Sequence, residues 1–186
     1  MSSDWVTAIA TAGTFIVIAA SAAAALLQLR HMRGSNQITA LMEIRETLES
    51  PDFEAASNYV LRDFPRRLED PEMRKVITTP GPAPDEVLPV RKVCNFMETF
   101  GSLVKNGIID RNIACELFGY VVLQHWDAVA PFVVNRRDAI GNPAIFENFE
   151  YLAANSKAWY EAHRNGSYPA NTARMPHPEL WREVAR

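Results

Sequence analysis

The residue types that perform most enzyme chemistry are sparse in this sequence and stand far apart. No histidine has a partner residue at metal-ligand spacing. The zinc-protease pattern HExxH, the dinucleotide pattern GxGxxG, the phosphate-binding loop and the serine-hydrolase pattern GxSxG are all absent. We therefore expect no metal site, no cofactor and no catalytic residues, and the sequence favours a protein that is not an enzyme. The four histidines are His31, His125, His163 and His177.

The two cysteines, Cys94 and Cys115, each lie inside an apolar helical pattern. They do not form the short paired spacing that is typical of zinc sites, and two cysteines do not make a disulfide framework. We expect both to be buried, reduced thiols that pack as small apolar side chains.

Glu98 is the polar residue that most invites a functional role, because its helical neighbourhood is otherwise apolar. A buried carboxylate needs a partner, and we expect an arginine from across a helical hairpin. Such a pair would either bind a ligand or fix the register of the helices, and the second reading is favoured because every long amphipathic helix has polar positions at its solvent border. The candidate partners are Arg111, Arg136 and Arg137.

The segment His125-Trp126-Asp127 does not predict a catalytic pair, because residues two apart on a helix point to different faces. Trp126 is predicted to anchor the core or an interface. For Arg136 and Arg137 two roles stay open, namely contact with anionic lipid headgroups and capping of a helix end.

Two helices in the C-terminal half must position these residues. Apolar residues from Val90 to Val104 recur at three- and four-residue steps and predict a long helix that Asn106-Gly107 closes. Asp110 is expected to cap the next helix, which the short turn makes antiparallel to the first, and Pro131 to end or kink it. The second helix presents a stripe formed by Ile113, Leu117, Val121 and Gln124.

Glycines, prolines and helix-capping residues divide the rest of the chain into segments. An amphipathic juxtamembrane helix is expected past Gly34. Ser50-Pro51 and Asp70-Pro71 predict helix starts, and Pro65 is expected to end a helix. The proline-rich residues 78–89 predict a loop. Gly141-Asn142-Pro143 predicts another stop, before a last main helix that ends near Asn165-Gly166. No strand-like alternation is present, so we predict an all-α domain over residues 30–166 and an extended tail over residues 167–186.

Residues 5–29 contain no charged side chain and are long enough, as a helix, to cross a bilayer. Asp4 precedes this stretch and Arg30 follows it directly. Because positive residues stay in the cytoplasm, we predict a single transmembrane helix with residues 1–4 outside and the helical domain in the cytoplasm.

Two alternatives to an anchor fit this stretch less well. A cleaved signal peptide would have a positive start and a shorter apolar run, and a buried soluble helix of this length is rare in so small a domain. Small residues on one face also permit self-association in lipid, although alanine is so abundant here that composition alone would give the spacing. These residues are Ala8, Ala12, Ala19 and Ala23.

The charges of the chain are mixed, with a formal net charge of -3, so nucleic acid is excluded as an expected partner. The expected partners are the lipid bilayer and a second copy of the chain or another membrane protein.

The stretch from Asn95 to Arg137 resembles a family of bacterial membrane-anchored proteins, the domain-of-unknown-function family 4760. The resemblance rests on an N-x-x-E-x-x-G segment, a later glycine, a W-x-x-x-x-P element and an arginine. It implies a bacterial inner-membrane setting, implies no activity, and marks Glu98 as a residue to test. The matching residues are Asn95, Glu98, Gly101, Gly107, Ile108, Trp126, Pro131 and Arg136 or Arg137.

Three functions are consistent with the sequence. The favoured one is a membrane-tethered interaction or regulatory module. The second is a small-ligand sensor or enzyme with a pocket between the hairpin helices, formed by Glu98 and an arginine. The third is an accessory subunit of a larger membrane complex.

Overall fold

A computed structural model describes residues 3–81, 85–164 and 166–175 of the chain. Inside the first helix, the side chains of residues 4–6, 8–10 and 33 lie outside this description. The described residues are helices joined by short turns and contain no strand, which confirms the all-α prediction.

The first helix, α1, runs without a break from Ser3 to Leu48. At 1.5 Å per residue it is about 69 Å long. The apolar stretch and the amphipathic stretch past Gly34 are one continuous helix, because a glycine inside a helix costs only about 1 kcal/mol and no proline interrupts the hydrogen bonds. Only the last part of α1 contacts the domain, and its buried side chain there is Ile44.

A second run of helix contains α2 (Pro51–Asn58), one π-helical turn (Tyr59–Asp63) and α3 (Phe64–Arg67). Ser50 caps α2 as predicted, since its hydroxyl accepts from the Phe53 N–H. Pro65 does not end the helical path, contrary to the prediction. The wider π turn precedes it, which is one way for a helix to relieve the clash between a proline ring and the preceding turn.

The predicted proline-rich loop is shorter than residues 78–89. Helix α4 extends through Thr78 (Pro71–Thr78), and Asp70 caps its start as predicted. A 3-10 turn at Asp85–Val87 leads into α5 (Leu88–Lys105), so Pro89 stands in the first turn of a helix. Proline is tolerated there because the first N–H groups of a helix have no partner inside it. Pro82 and Pro84 lie outside the described residues.

Helices α5, α6 (Arg111–Ile140) and α7 (Glu147–Ala162) form the main packing unit. The turn between α5 and α6 and the cap at Asp110 are confirmed, since the Asp110 carboxylate accepts from the backbone N–H groups of Asn112 and Ile113. Helix α7 packs along both α5 and α6, more closely than these pack on each other. A third helix therefore fills much of the hairpin interface.

One prediction about α6 is wrong in part, since Pro131 does not end the helix. The helix continues through Pro131 to Ile140, because the buried side chains of Phe132 and Val133 hold the following turns against the core. The stripe through Leu117 is not the buried face, since Leu117 is 60% exposed and Gln124 is exposed. The face that packs is offset around the helix, and it contains Ala114, Cys115, Gly119, Val122, His125 and Val129.

Candidate functional site

Glu98 binds the start of α7 rather than an arginine. One carboxylate oxygen accepts from the backbone N–H of Phe149 at 2.9 Å, and the other accepts from the Asn148 side-chain amide at 2.6 Å. Asn148 and Phe149 are in the first turn of α7, where backbone N–H groups have no partner inside the helix. Glu98 therefore caps a neighbouring helix, and the predicted ion pair across the hairpin is not formed.

The backbone before α7 explains why this cap must come from another helix. Phe146 precedes α7 in the left-handed conformation, with φ at 55°, and its side chain offers no hydrogen bond. It is the single non-glycine residue with a positive φ in the described part of the chain. The Glu98 carboxylate supplies both the acceptor and the negative charge that favour a helix N-terminus.

Two further residues on the same face of α5 meet this turn. Gly101 lies so close to Asn148 that a Cβ atom would overlap the Asn148 carbonyl oxygen. Lys105 Nζ donates to the Asn148 side-chain oxygen at 3.0 Å and reaches Glu147 at 3.3 Å. Residues 98, 101 and 105 thus form one contact with the α7 start, which gives the E-x-x-G part of the motif a structural reason.

Arg136 is a buried cation, only 5% exposed. Its guanidinium donates to the carbonyl oxygens of Ile77 at 3.1 Å, Thr79 at 2.9 Å and Gly81 at 2.6 Å. Arg136 therefore caps the C-terminus of α4 and fixes the chain that follows it. A cation is favoured at this position by the negative end of the helix.

Arg137 also binds backbone, in the segment that precedes α7. Its Nε donates to the Ile145 carbonyl at 2.8 Å and Nη1 pairs with Glu150 at 2.7 Å. Nη2 is buried without a hydrogen-bond partner among the described residues. Arg136 thus binds the end of α4 and the chain after it, and Arg137 binds the segment before α7. Both are capping residues, and they do not form a common site.

Arg111 lines a cleft between the start of α6 and the end of α7. Its guanidinium donates weakly to the Asn155 side chain at 3.5 Å. The cleft has a volume of about 250 Å³, and its aromatic wall is Trp159, whose ring stacks on His163 at 4.2 Å. Arg111 and Glu98 contact different residues and do not line a common cavity among the described residues, so the four polar candidates do not form one site.

A second cavity, of about 310 Å³ and open to solvent, lies between α5, α6 and the segment before α7. Arg91 and Arg136 line it together with apolar side chains. This volume is at the lower end of the range of small-molecule pockets, which are mostly apolar with a few polar groups. The apolar lining residues are Phe132, Ile140, Ile145 and Phe146.

Sequence reasoning missed a contact between Ser57 and His125. His125 is 2% exposed, and its Nε2 lies 2.8 Å from the Ser57 hydroxyl while Nδ1 lies 2.8 Å from the Val121 carbonyl. Because a carbonyl only accepts, Nδ1 carries the proton and Nε2 accepts from the serine. Burial lowers the pKa of His125, so the imidazole is neutral. No sequence pattern links residues so far apart in the chain.

This serine–histidine contact has the first two members of a nucleophile arrangement, with a backbone carbonyl in the place of the usual carboxylate. It joins α2 to α6 through the interior, and we assign it a structural role. His125 has no contact with Asp127, as the sequence predicted.

The remaining candidates are also placed by packing. Trp126 is partly buried and packs edge-on against Phe149, with ring centroids 5.1 Å apart. Cys94 and Cys115 are both buried free thiols, and burial raises the pKa of each. Ala12, Ala19 and Ala23 are exposed on α1, and the Ala8 side chain lies outside the described residues.

Among the residues that the structure describes, no three histidine, cysteine or acidic side chains are grouped so that they could hold a metal ion. Two described helices are long and apolar enough to cross a membrane, α1 from Thr11 onward and α6. The apolar window of α6 is one-third buried in the domain, whereas that of α1 has no buried residue.

The family model described as a domain of unknown function (DUF4760) matches residues 15–159. The match includes the resemblance noted above and extends it to most of the chain, from the apolar part of α1 to the last turn of α7. No curated protein and no solved structure matches the chain.

Proposed function

The chain belongs to the family of domain of unknown function DUF4760, and from that premise we propose that it is a membrane-tethered helical module that binds a protein partner. The family match begins inside the apolar part of α1. This supports a common role for the helix and the domain rather than a removable leader followed by a separate domain.

The observation that carries the tether is the exposed apolar surface of α1. Phe15 is 72% exposed, Ile16 is 66% exposed and Leu26 is 64% exposed. Each square ångström of apolar surface left in water costs about 25 cal/mol, so a helix with this surface needs an apolar environment. The hydrocarbon core of a bilayer is one, and the uncharged length of residues 5–29 suffices to cross it.

The orientation follows from charge. Arg30, His31 and Arg33 stand directly after the apolar stretch, and Asp4 precedes it. The positive-inside rule favours a cytoplasmic domain and an outside N-terminus in a bacterial inner membrane.

The test of the tether is extraction of membranes with alkaline carbonate. We expect the full chain to stay in the pellet and to need detergent for release. A chain in which Phe15, Ile16 and Leu26 are changed to glutamine should move to the supernatant. Full-length protein that is soluble without detergent would contradict the tether.

A labelling experiment tests the orientation. Cys94 and Cys115 are buried, so an added cysteine at the exposed position Thr172 is the accessible thiol. In intact spheroplasts, Thr172→Cys should resist a membrane-impermeant maleimide and react after lysis. Labelling before lysis would place the domain outside the cell.

Partner binding is supported by the outward stripe of α6. Ile113, Leu117 and Tyr120 are 40%, 60% and 62% exposed and recur at helical spacing. An exposed apolar stripe of this kind is typical of a protein interface. We expect Leu117→Glu to reduce recovery of a co-purifying membrane protein or second copy from detergent extract, whereas Leu88→Glu, at a 47% exposed position on α5, should not. Recovery of the chain as a lone monomer would contradict this role.

A further inference from the structure

The cavity beside Arg136 combines a buried positive charge with apolar walls. Phe132 is 1% exposed and forms part of the wall, while Ile140 is 46% exposed and stands at the rim. The Arg91 side chain lines the same cavity from α5. Two arginines therefore border a small space whose other side chains are apolar.

The charge of Arg136 is balanced by dipoles only. Its partners are the carbonyl oxygens of Ile77, Thr79 and Gly81, and the ion pairs of the described residues do not include it. These hydrogen bonds use three of the five guanidinium N–H groups. Carbonyl dipoles lower the cost of burying the guanidinium but leave its net charge in place.

A net positive charge beside apolar walls attracts anions, because the apolar side chains lower the effective dielectric constant on one side of the charge. An anion placed in the cavity would neutralise this charge, and an apolar tail on the same molecule would cover the exposed Ile140 side chain. The cavity volume of about 310 Å³ suits a small ligand and is too small for a folded partner.

We propose that this cavity binds a small amphiphilic anion, with its carboxylate or phosphate toward Arg136 and its aliphatic part against Phe132 and Ile140. The same chemistry exists in a free fatty acid and in an anionic lipid. The site does not depend on the membrane tether. It lies between the hairpin helices, as the predicted pocket did, but Glu98 does not line it.

The position of the cavity along α6 bears on the source of the ligand. Asn36 and Gln37 of α1 face the turn at Asn106–Ile108, where α6 begins. Phe132 is 21 residues beyond Arg111, about 31 Å along the helix. The cavity therefore lies far along α6 from the end that faces α1, which favours a free ligand over a lipid of the surrounding bilayer.

The ligand would also contact the connections that hold the domain together. Gly81 closes one side of the cavity after α4, and Phe146, in its left-handed conformation, closes another before α7. Occupancy should therefore stabilise both connections and raise the unfolding temperature, since a ligand that binds the folded state alone stabilises it.

The experiment uses the full chain in phosphatidylcholine nanodiscs and follows thermal unfolding by tryptophan fluorescence. Octanoate is the probe. 1-Octanol lacks its negative charge and acetate lacks its apolar tail, so these two compounds are the controls. We expect a concentration-dependent rise in unfolding temperature with octanoate and a much smaller one with either control. An equal rise with 1-octanol, or no rise with octanoate, would overturn the proposal.

Matched variants locate the effect. Ile140→Trp should fill the rim of the cavity and abolish the octanoate shift, whereas Ile108→Trp, at a position that is 48% exposed and outside the cavity, should keep it. Arg91→Gln should weaken octanoate binding about tenfold, equivalent to about 1.4 kcal/mol. Arg136→Gln is a poorer test because this arginine also caps α4. An octanoate shift that survives Ile140→Trp would place binding elsewhere and overturn the assignment.

Adding phosphatidylglycerol to the nanodiscs tests whether the natural ligand is a free anion or an anionic lipid of the bilayer. A free ligand predicts that octanoate binding is unchanged. If phosphatidylglycerol competes with octanoate in the wild type and the Ile108→Trp variant, the anion is a lipid and the preference for a free ligand is overturned. If the chain proves soluble without detergent, the same titration in buffer tests the cavity while the tether fails.

Discussion

Single polar residues in this protein act mainly on backbone groups of distant segments. Glu98 accepts from the start of α7, Arg136 donates to the end of α4, and Arg137 donates to the carbonyl of Ile145. Each side chain satisfies a backbone group that its own helix or turn leaves unpaired. Their first effect is therefore on stability and on the relative position of helices.

Removal of the Glu98 carboxylate should destabilise the domain. Glu98→Ala leaves the Phe149 N–H and the Asn148 amide without their acceptor, and we expect a loss of about 2 kcal/mol. Glu98→Gln keeps one acceptor oxygen and should cost about half as much. Thermal unfolding of the full chain in detergent measures both, with the exposed Glu46→Gln as control. An unchanged stability in Glu98→Ala would contradict the capping role.

The buried His125 should make stability depend on pH. Its pKa is lowered in the folded state by burial, so below the unfolded value of about 6.5 the unfolded chain binds a proton that the folded chain does not. Stability should therefore be constant above that pH and fall as the pH drops toward the folded pKa, by at most about 1.4 kcal/mol per unit. Urea unfolding at several pH values measures this slope.

His125→Asn should flatten the slope below pH 6.5 even though it lowers stability overall. Gln124→Asn, which changes an exposed side chain without a titratable group on the same helix, should leave the slope as it is. A slope that persists in His125→Asn would assign the pH dependence to other groups.

At the scale of helices, α7 determines how α5 and α6 are arranged. It approaches α5 at Gly101 and α6 at Gly119, where the Tyr160 ring lies 3.1 Å from the position of a Cβ atom. Trp126 packs on Phe149 from the other side of the same interface. The two glycines let α7 lie close to both helices, and the predicted hairpin is thus a three-helix unit.

Gly101→Ala tests this close approach. The added Cβ would overlap the Asn148 carbonyl, which is backbone and cannot move aside without shifting α7, so we expect a loss of about 3 kcal/mol or more. Gly34→Ala is the matched control, since no atom lies within 4 Å of its Cβ position, and a helical alanine should be neutral or stabilising. Circular dichroism during thermal unfolding measures both. Equal stability of the two variants would mean that α7 is not packed against Gly101.

At the scale of the whole molecule, the N-terminal part of α1 is exposed and its C-terminal part contacts the domain. Residues 11–32 are exposed, and contact with the domain begins near Ala40 and centres on Ile44. The domain core contains no side chain from the apolar half of the described helix. The apolar half should therefore be dispensable for folding and necessary for location.

Deletion of residues 1–29 tests this division. We expect a soluble, helical domain with the unfolding temperature of the full chain, because the deletion removes no buried side chain among residues 11–29. Deletion through residue 48 should instead destabilise the domain, since it removes Ile44 from the core. Circular dichroism and sedimentation measure both. Aggregation of the shorter deletion would contradict the proposed independence of the domain.

Local chemistry was readable from the sequence, because it depends on residues within one or two turns of each other. The caps at Ser50, Asp70 and Asp110 and the helix end at Gly141 were all predicted, since their hydrogen bonds join neighbouring residues. The apolar, uncharged opening of α1 follows from composition alone. The family was also indicated by the motif around Glu98.

Long-range choices were decided by the tertiary structure. Glu98 and its partner Asn148, like Ser57 and His125, lie 50 or more positions apart in the chain. The buried face of α6 depends on where α7 packs. Pro131 inside α6 shows the same effect, because packing of the following turns outweighs the missing hydrogen bond. Periodicity tells which residues share a face, but only the neighbouring helices decide which face is covered, because burial is a property of the packed whole.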